Sequence, residues 1–506
     1  MVKKDIKMKK YLYGASVQGI QRFIFQTNKL AEIVGASELV ESICTDKFYE
    51  VAGIQSNDPK ILMAAAGNIK YFFDDETKCR DFVKMFPKIV MDMAPGITIS
   101  QAVVAFEGDY PKHTDIDCLE IKLKAQRNKV SIPTEIGFMA LERARRTGGV
   151  AFEEVKDRKG KPQIVDEATY KKLDRVKFKK DNDEEKANEK LFYTFSGLEE
   201  VRNKDISFDI SDITKSGKNS WIAVIHADGN GLGNILQNYG RKITENKEFK
   251  LFSDLIQKST EKACQIAFKK LEKGEKYKFP IRPVVIGGDD VTIIIRADLA
   301  LDFTIDFLKA FEQATKSNFK DLKTTDLHFG LTACAGIAFV KESYPLHYAL
   351  KLAEDLCKDA KKMVKSKELC KDGEMPKSSL AFFRVQDSFV ENLEDMKERT
   401  LKTGNGIDYD YGPYLIHKES NFHNIEDLNH KLEILKTEAN KNEKSKAVSK
   451  LRQLISASFK DKSTMQIMKD RMKSVNDQFY NNLELDNELQ GKSMLYDLIQ
   501  LHSFKY

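Results

Sequence analysis

The residues best suited to chemistry in this sequence are Asp289 and Asp290, adjacent in the tetrapeptide Gly287-Gly288-Asp289-Asp290. Apolar β-type runs flank them at 281–286 and 291–296. Two Gly followed by two Asp between such runs read as a tight hairpin turn. Two carboxylates about 4 Å apart repel by roughly 4 kcal/mol at an effective dielectric near 20. A divalent cation removes that penalty, and a hairpin bearing adjacent carboxylates suits phosphoryl chemistry. Asp228 supplies a third carboxylate at the end of the apolar run WIAVIHA. In a βαββαβ sheet that first strand lies beside the hairpin. Asp228, Asp289 and Asp290 are therefore the expected catalytic and metal-binding set. All-oxygen ligands of this kind fit two Mg²⁺ or Mn²⁺ ions that activate a 3′-hydroxyl and stabilise leaving pyrophosphate.

Gly229, Asn230, Gly231 and Gly233 follow Asp228 and are expected to open a helix. Glycines there let backbone N–H groups approach a triphosphate, although tight packing accounts for them equally well. No Gly-Lys-Ser/Thr follows, so this is not a P-loop. Gly287 and Gly288 complete the nucleotide-binding set. Lys361 lies near the end of a helical pattern over 346–364. Its spacing favours a cation that complements the helix dipole over a phosphate ligand. His226 precedes Asp228 by two and shares its strand face. A packed or capping role is expected for it, because metal-activated hydroxyls need no His base.

These residues need elements to position them. The order strand, helix, hairpin, helix, strand occurs twice, which predicts an α+β fold with two ferredoxin-like (βαββαβ) palm domains and a C-terminal helical domain. The expected segments are a first palm at 1–152, a charged linker or solvated insertion at 153–219, a second palm at 220–384 and helices at 385–506. Aligning the hairpins sets Ala65-Ala66-Gly67-Asn68 over Gly287-Gly288-Asp289-Asp290. The first copy has no acids at the turn, and Ser16, Val17 and Gln18 occupy the region of Asp228.

The 506-residue chain is too long for one core. Its net charge of +6 permits nucleic-acid contact without arguing for it. No apolar run approaches a membrane span. Seven scattered Cys without a Cys-x-x-Cys pair fit free thiols in a reducing cytoplasm and argue against a zinc ribbon.

Together these residues resemble the CRISPR-associated protein 10 family, the large polymerase-like subunit of type III CRISPR effectors. That family is similar to nucleotide cyclases with a Gly-Gly-Asp-Glu-Phe signature. The first half carries Gly19-Ile20-Gln21 with Phe23-Ile24, and Gly35-Ala36-Ser37. The second carries Ala227-Asp228 with Gly231-Leu232-Gly233, and Pro283-Val284-Val285-Ile286 running into the Gly-Gly-Asp-Asp turn. Ala335-Gly336-Ile337-Ala338 and Ala353-Glu354, Leu356 and Ala360-Lys361 follow in order. The resemblance implies an ATP-consuming nucleotidyltransferase that makes cyclic oligoadenylates or related messengers in antiviral defence. It implies metals on Asp228, Asp289 and Asp290, and a phosphate on Lys361. Implied partners are NTP, other type III subunits and guide or target RNA, with no membrane; palm dimerisation is the arrangement of simple cyclases. Asn230 stands where the family often has a second Asp. Arg145-Arg146-Thr147-Gly148 lies where many members carry zinc-binding Cys. No His-Asp pair precedes the palm, so a compact form without the nuclease domain is expected, and no DNA cleavage. The alternative is a non-catalytic scaffold or nucleotide-binding subunit of an RNA-guided complex.

Overall fold

The structure, a computed structural model, describes residues 9–505 apart from 66, 130–139, 157–159, 177–189, 200, 215–219, 233–234, 236–246, 273–277, 323–328, 372–373, 387–391, 405, 420, 442–446 and 485–491. Gly233, Ala66 and most of the charged run at 177–190 thus lie outside the described residues.

The first half runs β1 (Lys9–Gln18), α1 (Ile20–Ile24), α2 (Leu30–Cys44), α3 (Asp46–Ala52), β2 (Ile61–Ala65), β3 (Asn68–Phe73), α4 (Glu76–Met93), β4 (Thr98–Glu107) and α5 (His113–Arg127). Its sheet has the order β2-β3-β1-β4. Alternation along the strands sends side chains to two packed faces. Leu12, Phe72 and Val104 meet Leu119 and Leu123 of α5. Tyr13, Tyr71 and Phe73 meet Phe48, Phe82 and Phe86 on the other side.

Residues 153–219 depart from the expected linker. They contain β5 (Glu153–Lys156), β6 (Pro162–Val165), α6 (Glu167–Arg175), α7 (Lys190–Ser196) and α8 (Ile210–Ile213). Phe192 and Phe195 are buried against Phe268, and Phe192 also meets Phe279. Lys172 is 1% exposed and donates to the Phe23 carbonyl at 2.7 Å and Gln26 Oε1 at 3.0 Å. Its burial pushes the amine down to about 8, against the pull of Asp166 and Glu32. The charge count of this stretch conceals sparse apolar anchors, which is why composition misjudges it. Upstream, Arg146 pairs with buried Glu32 at 2.5 Å, so an ion pair ties this turn to α2.

The second half repeats the plan. It runs β7 (Trp221–Gly229), α9 (Lys247–Phe268), β8 (Ile281–Gly287), β9 (Asp290–Arg296), α10 (Ala297–Asn318), β10 (Ala333–Lys341) and α11 (Leu346–Val364). β11 (Ser379–Arg384) adds parallel to β10, and the sheet order is β12-β11-β10-β7-β9-β8. After α12 (Leu393–Leu401), β12 (Tyr414–Leu415) closes the sheet edge. The rest is helical: α13 (Ile425–Lys441), α14 (Ala447–Ser458), α15 (Lys462–Val475), α16 (Asp477–Asn482) and α17 (Leu495–Lys505). The helical region therefore lends one short strand to the palm. It is also docked on it: Phe504 stacks on Phe339 with centroids 4.6 Å apart.

The strand pairings of the two palms correspond. Ser16 pairs with Asn68 across β1 and β3. Ala227 pairs with Val291 across β7 and β9, so the next position sets Asp228 opposite Asp290. Ser16 and Asn68 thus hold the places of two acids. Gly19 and Gly231, each three residues further on, share the left-handed conformation with φ of 71° and 70°.

β7 is central and covered on both faces, which explains its near-continuous apolar run. α11 lies on β10 through Leu346, Leu350, Ala353, Leu356, Ala360 and Val364, a helical stripe. Gly336 in β10 permits this approach, since a Cβ there would fall 1.9 Å from the Ala353 carbonyl oxygen and 2.6 Å from the Cys357 nitrogen. Backbone cannot yield as a side chain can. Gly336→Ala is therefore expected to destabilise the chain by about 3 kcal/mol, read as a lower urea midpoint. An unchanged midpoint would mean that α11 sits further from the sheet.

Candidate active site

β7 ends at the carboxylate cluster, and the β8–β9 turn delivers the other two acids to the same edge. Ligand atoms of His226, Asp228 and Asp290 all lie within 4.8 Å of one another, the only such metal-capable group among the described residues. Asp289 stands over Gly229. A Cβ at Gly229 would meet Asp289 Oδ2 at 2.6 Å and its Cβ at 3.0 Å, so the glycine makes room for the acid.

The turn is held from behind by α9. Gln257 Oε1 accepts from the Gly288 N–H at 2.6 Å, and Thr260 Oγ1 donates to the Gly288 carbonyl at 2.6 Å. Gly288 adopts φ 62°, a conformation that suits glycine. Gly287 pairs with Asp290 at the end of the hairpin.

Lys361 reaches from α11 into the cluster. Its ammonium donates to Asp228 Oδ2 and to the Gly229 carbonyl, the latter at 2.8 Å. Burial opposes its charge, but the Asp228 carboxylate outweighs burial and holds the amine above its ordinary range. An ammonium bridging a carboxylate and a carbonyl occupies a cation's position. The helix-dipole role favoured by spacing is therefore not its main contact.

The acids carry the cost of their crowding. Loss of solvation first, and repulsion from Asp228 second, push Asp289 up to about 6. The same causes, with Asp289 added, push Asp290 up to about 8, although its outer side is exposed. Burial pushes His226 down to about 4, with Lys361 and Lys358 adding to it against Asp228, so the imidazole is neutral near pH 7. Its Nδ1 lies 3.2 Å from Thr292 Oγ1. A neutral ring beside two carboxylates can serve as a nitrogen ligand.

Asn230, another sequence candidate, goes elsewhere. Asn230 is 1% exposed, and its amide is engaged by Thr332 Oγ1 at 3.0 Å, the Lys377 carbonyl at 3.2 Å and Cys334 Sγ at 3.2 Å. It fastens the end of β7 to the β10 and β11 side. Gly231 lies just beyond, with open space where a Cβ would be.

Beside the cluster, between the palms, is a cleft of about 360 Å³. His226, Asp290 and Thr292 line one wall, and Gln21, Ser37 and Glu38 line the opposite one. Gln21 Nε2 donates to Glu354 of α11, and Ser37 Oγ donates to the Val284 carbonyl, joining the palms across it. Spacing does not predict these contacts, since each spans hundreds of positions.

Residues 221–370 match the Cas10/Cmr2 second palm domain family. No curated protein matches the chain by sequence. Among solved structures, a Csm1–Csm4 cassette in complex with cA4 is similar over 99% of this chain and 70% of that one, at 11% identity and TM-score 0.54. A Csm1–Csm4 cassette in complex with cA3 has the same coverage, 12% identity and TM-score 0.53. The fold follows Csm1 along nearly its whole length. The acidic hairpin lies inside the segment that matches the second palm domain of the Cas10/Cmr2 family.

Proposed function

We propose that the second palm is a metal-dependent nucleotidyltransferase that joins NTPs, ATP foremost, into a cyclic or oligomeric messenger of CRISPR-type defence. The observation that carries this reading is the Lys361 ammonium bridging Asp228 and the Gly229 carbonyl at the edge of the acidic cluster. That donor set fits a divalent cation: oxygen-rich, crowded and short of positive charge. Asp228, Asp289, Asp290 and the neutral His226 would hold Mg²⁺ or Mn²⁺ there. Bound ions supply activation of an acceptor 3′-hydroxyl and neutralise the leaving pyrophosphate. The chain's own groups do the rest. Lys361 transfers from Asp228 to the β- and γ-phosphates of the donor nucleotide. The backbone around Gly229, Gly231, Gly287 and Gly288 admits the triphosphate without side-chain obstruction. The cleft between the palms seats the acceptor, with Gln21 and Glu354 at its wall. The solved Csm1–Csm4 cassettes with cA4 and cA3 support an oligoadenylate product and a Csm4-type partner within a type III complex. Among the described residues no helix is long and apolar enough to cross a membrane.

Protons compete with metal in such a site. Because Asp289 is held up to about 6 and Asp290 to about 8, both hold protons in the folded state that an unfolded chain has already released. The metal-free fold therefore loses stability as pH rises from the ordinary carboxylate range through those values. Divalent affinity moves the opposite way and is expected to rise about tenfold or more between pH 6 and pH 8. Calorimetric titration with Mn²⁺ at the two pH values checks this; a flat response would mean that the acids are not the ligands.

The function itself is tested by mass spectrometry of products formed from each NTP with Mg²⁺ or Mn²⁺, with and without candidate RNA and Csm4-type partners. Linked AMP units are the expected product. Unchanged NTP in every combination would contradict the reading.

A further inference from the structure

A second charge imbalance lies far along the sequence, where the helical region meets the far edge of the second palm. Here the surplus is positive. A cleft of about 510 Å³ is lined by Trp221, Arg384, Arg452, Ser456, Tyr496 and Gln500, among others, with no Asp or Glu on its walls. Arg384 Cζ lies 4.3 Å from the centroid of the Trp221 ring and 5.0 Å from that of Phe504. Lys341 Nζ lies 4.3 Å from the same Trp221 ring. None of Lys341, Arg384 and Arg452 forms an ion pair among the described residues. Arg384 Nη1 donates to Ser503 Oγ at 2.8 Å, yet its Nε is buried with no hydrogen-bond partner. Arg384 is held below its ordinary range by burial and by Arg452, despite Tyr496.

A half-buried guanidinium with an unsatisfied N–H, beside a second guanidinium, is costly without an anion. Two arginine forks, with the Ser456 hydroxyl and Gln500 amide nearby, match an anion with several oxygens better than a single carboxylate. We propose that this cleft binds a phosphate group, carried by a nucleotide or by the 5′ end of an RNA, separately from the acidic hairpin. Trp221 begins β7 and Asp228 is its next-to-last residue, so the two sites lie at opposite ends of one strand.

The test is isothermal titration of the full chain in EDTA with two probes, inorganic pyrophosphate and a short 5′-phosphorylated oligoriboadenylate beside its 5′-hydroxyl form. The chelator prevents the acids from holding phosphate through metal. Arg452 is exposed, so Arg452→Gln keeps the fold; Arg384→Gln is the second variant, with a thermal melt to check it. Saturable binding is expected, weakened about tenfold or more by each substitution and retained in Lys361→Met. Pyrophosphate binding alone identifies a free phosphate ligand, and preference for the 5′-phosphorylated strand identifies an RNA end. Binding by neither probe overturns the proposal. So does binding that Lys361→Met abolishes and Arg452→Gln leaves intact.

Discussion

Asp228→Asn is expected to slow pyrophosphate release by about 10³-fold while leaving the fold in place. The substitution keeps size and removes charge. In the ligand-free chain it takes away the partner of Lys361 and one ligand atom of the His226–Asp228–Asp290 group. A metal's charge stabilisation of phosphoryl transfer is worth several kcal/mol. At about 1.4 kcal/mol per tenfold, losing about 4 kcal/mol gives that factor. The Asp228 side chain is about one-third exposed, at 34%, so the stability cost is expected to be small. Parallel calorimetry should show weakened Mn²⁺ binding with nearly the same thermal midpoint. A purely structural role would reverse that pattern, moving the midpoint and leaving metal binding unchanged.

Lys361→Met should separate two quantities that usually move together. The ammonium now competes with a divalent cation for Asp228 and the Gly229 carbonyl. Without it the cluster is more negative, and Mn²⁺ affinity above pH 8, where the acids are ionised, is expected to rise severalfold, roughly as expected for removing one nearby charge. Turnover should fall about 10–100-fold, because a charge-assisted bond to the donor phosphates is lost. Tighter metal with slower chemistry is the signature of a residue that alternates between carboxylate and phosphate. A lysine that merely complements the dipole of α11 would change neither quantity by more than about twofold.

The acids were legible in the sequence because their signals are local. A Gly-Gly-Asp-Asp turn between apolar runs announces a hairpin, and Asp228 closes an apolar strand. The palm plan was legible for the same reason, since strand and helix periodicities survive without tertiary knowledge. What was hidden acts at a distance. Gln257 and Thr260 hold Gly288 through backbone atoms, from a helix whose pattern marks only its buried face. Gln21 and Glu354 meet across 333 positions. Lys172 sits in a segment whose charge suggests solvent, yet it is inserted beneath α1. Asn230 was grouped with nucleotide ligands by proximity to Asp228, but its turn sends the amide into the protein. For His226 the sequence predicts a packed or capping role rather than a base. Its geometry suits a ligand, a role that strand parity alone could not separate from packing.

The first palm sharpens the account. Its β1–β3 pair holds Ser16 and Asn68 where the second palm sets Asp228 and Asp290. One copy of the fold therefore carries acids at its hairpin, and the other holds neutral groups at the matching positions.

The most direct test is pyrophosphate release by the purified chain with ATP and Mn²⁺, with candidate RNA and partners supplied, compared with a variant carrying Asp228→Ala and Asp289→Ala together. Release by the unaltered chain and its loss in the variant is the result expected from an acidic hairpin that does the chemistry. Release that persists in the variant would contradict it.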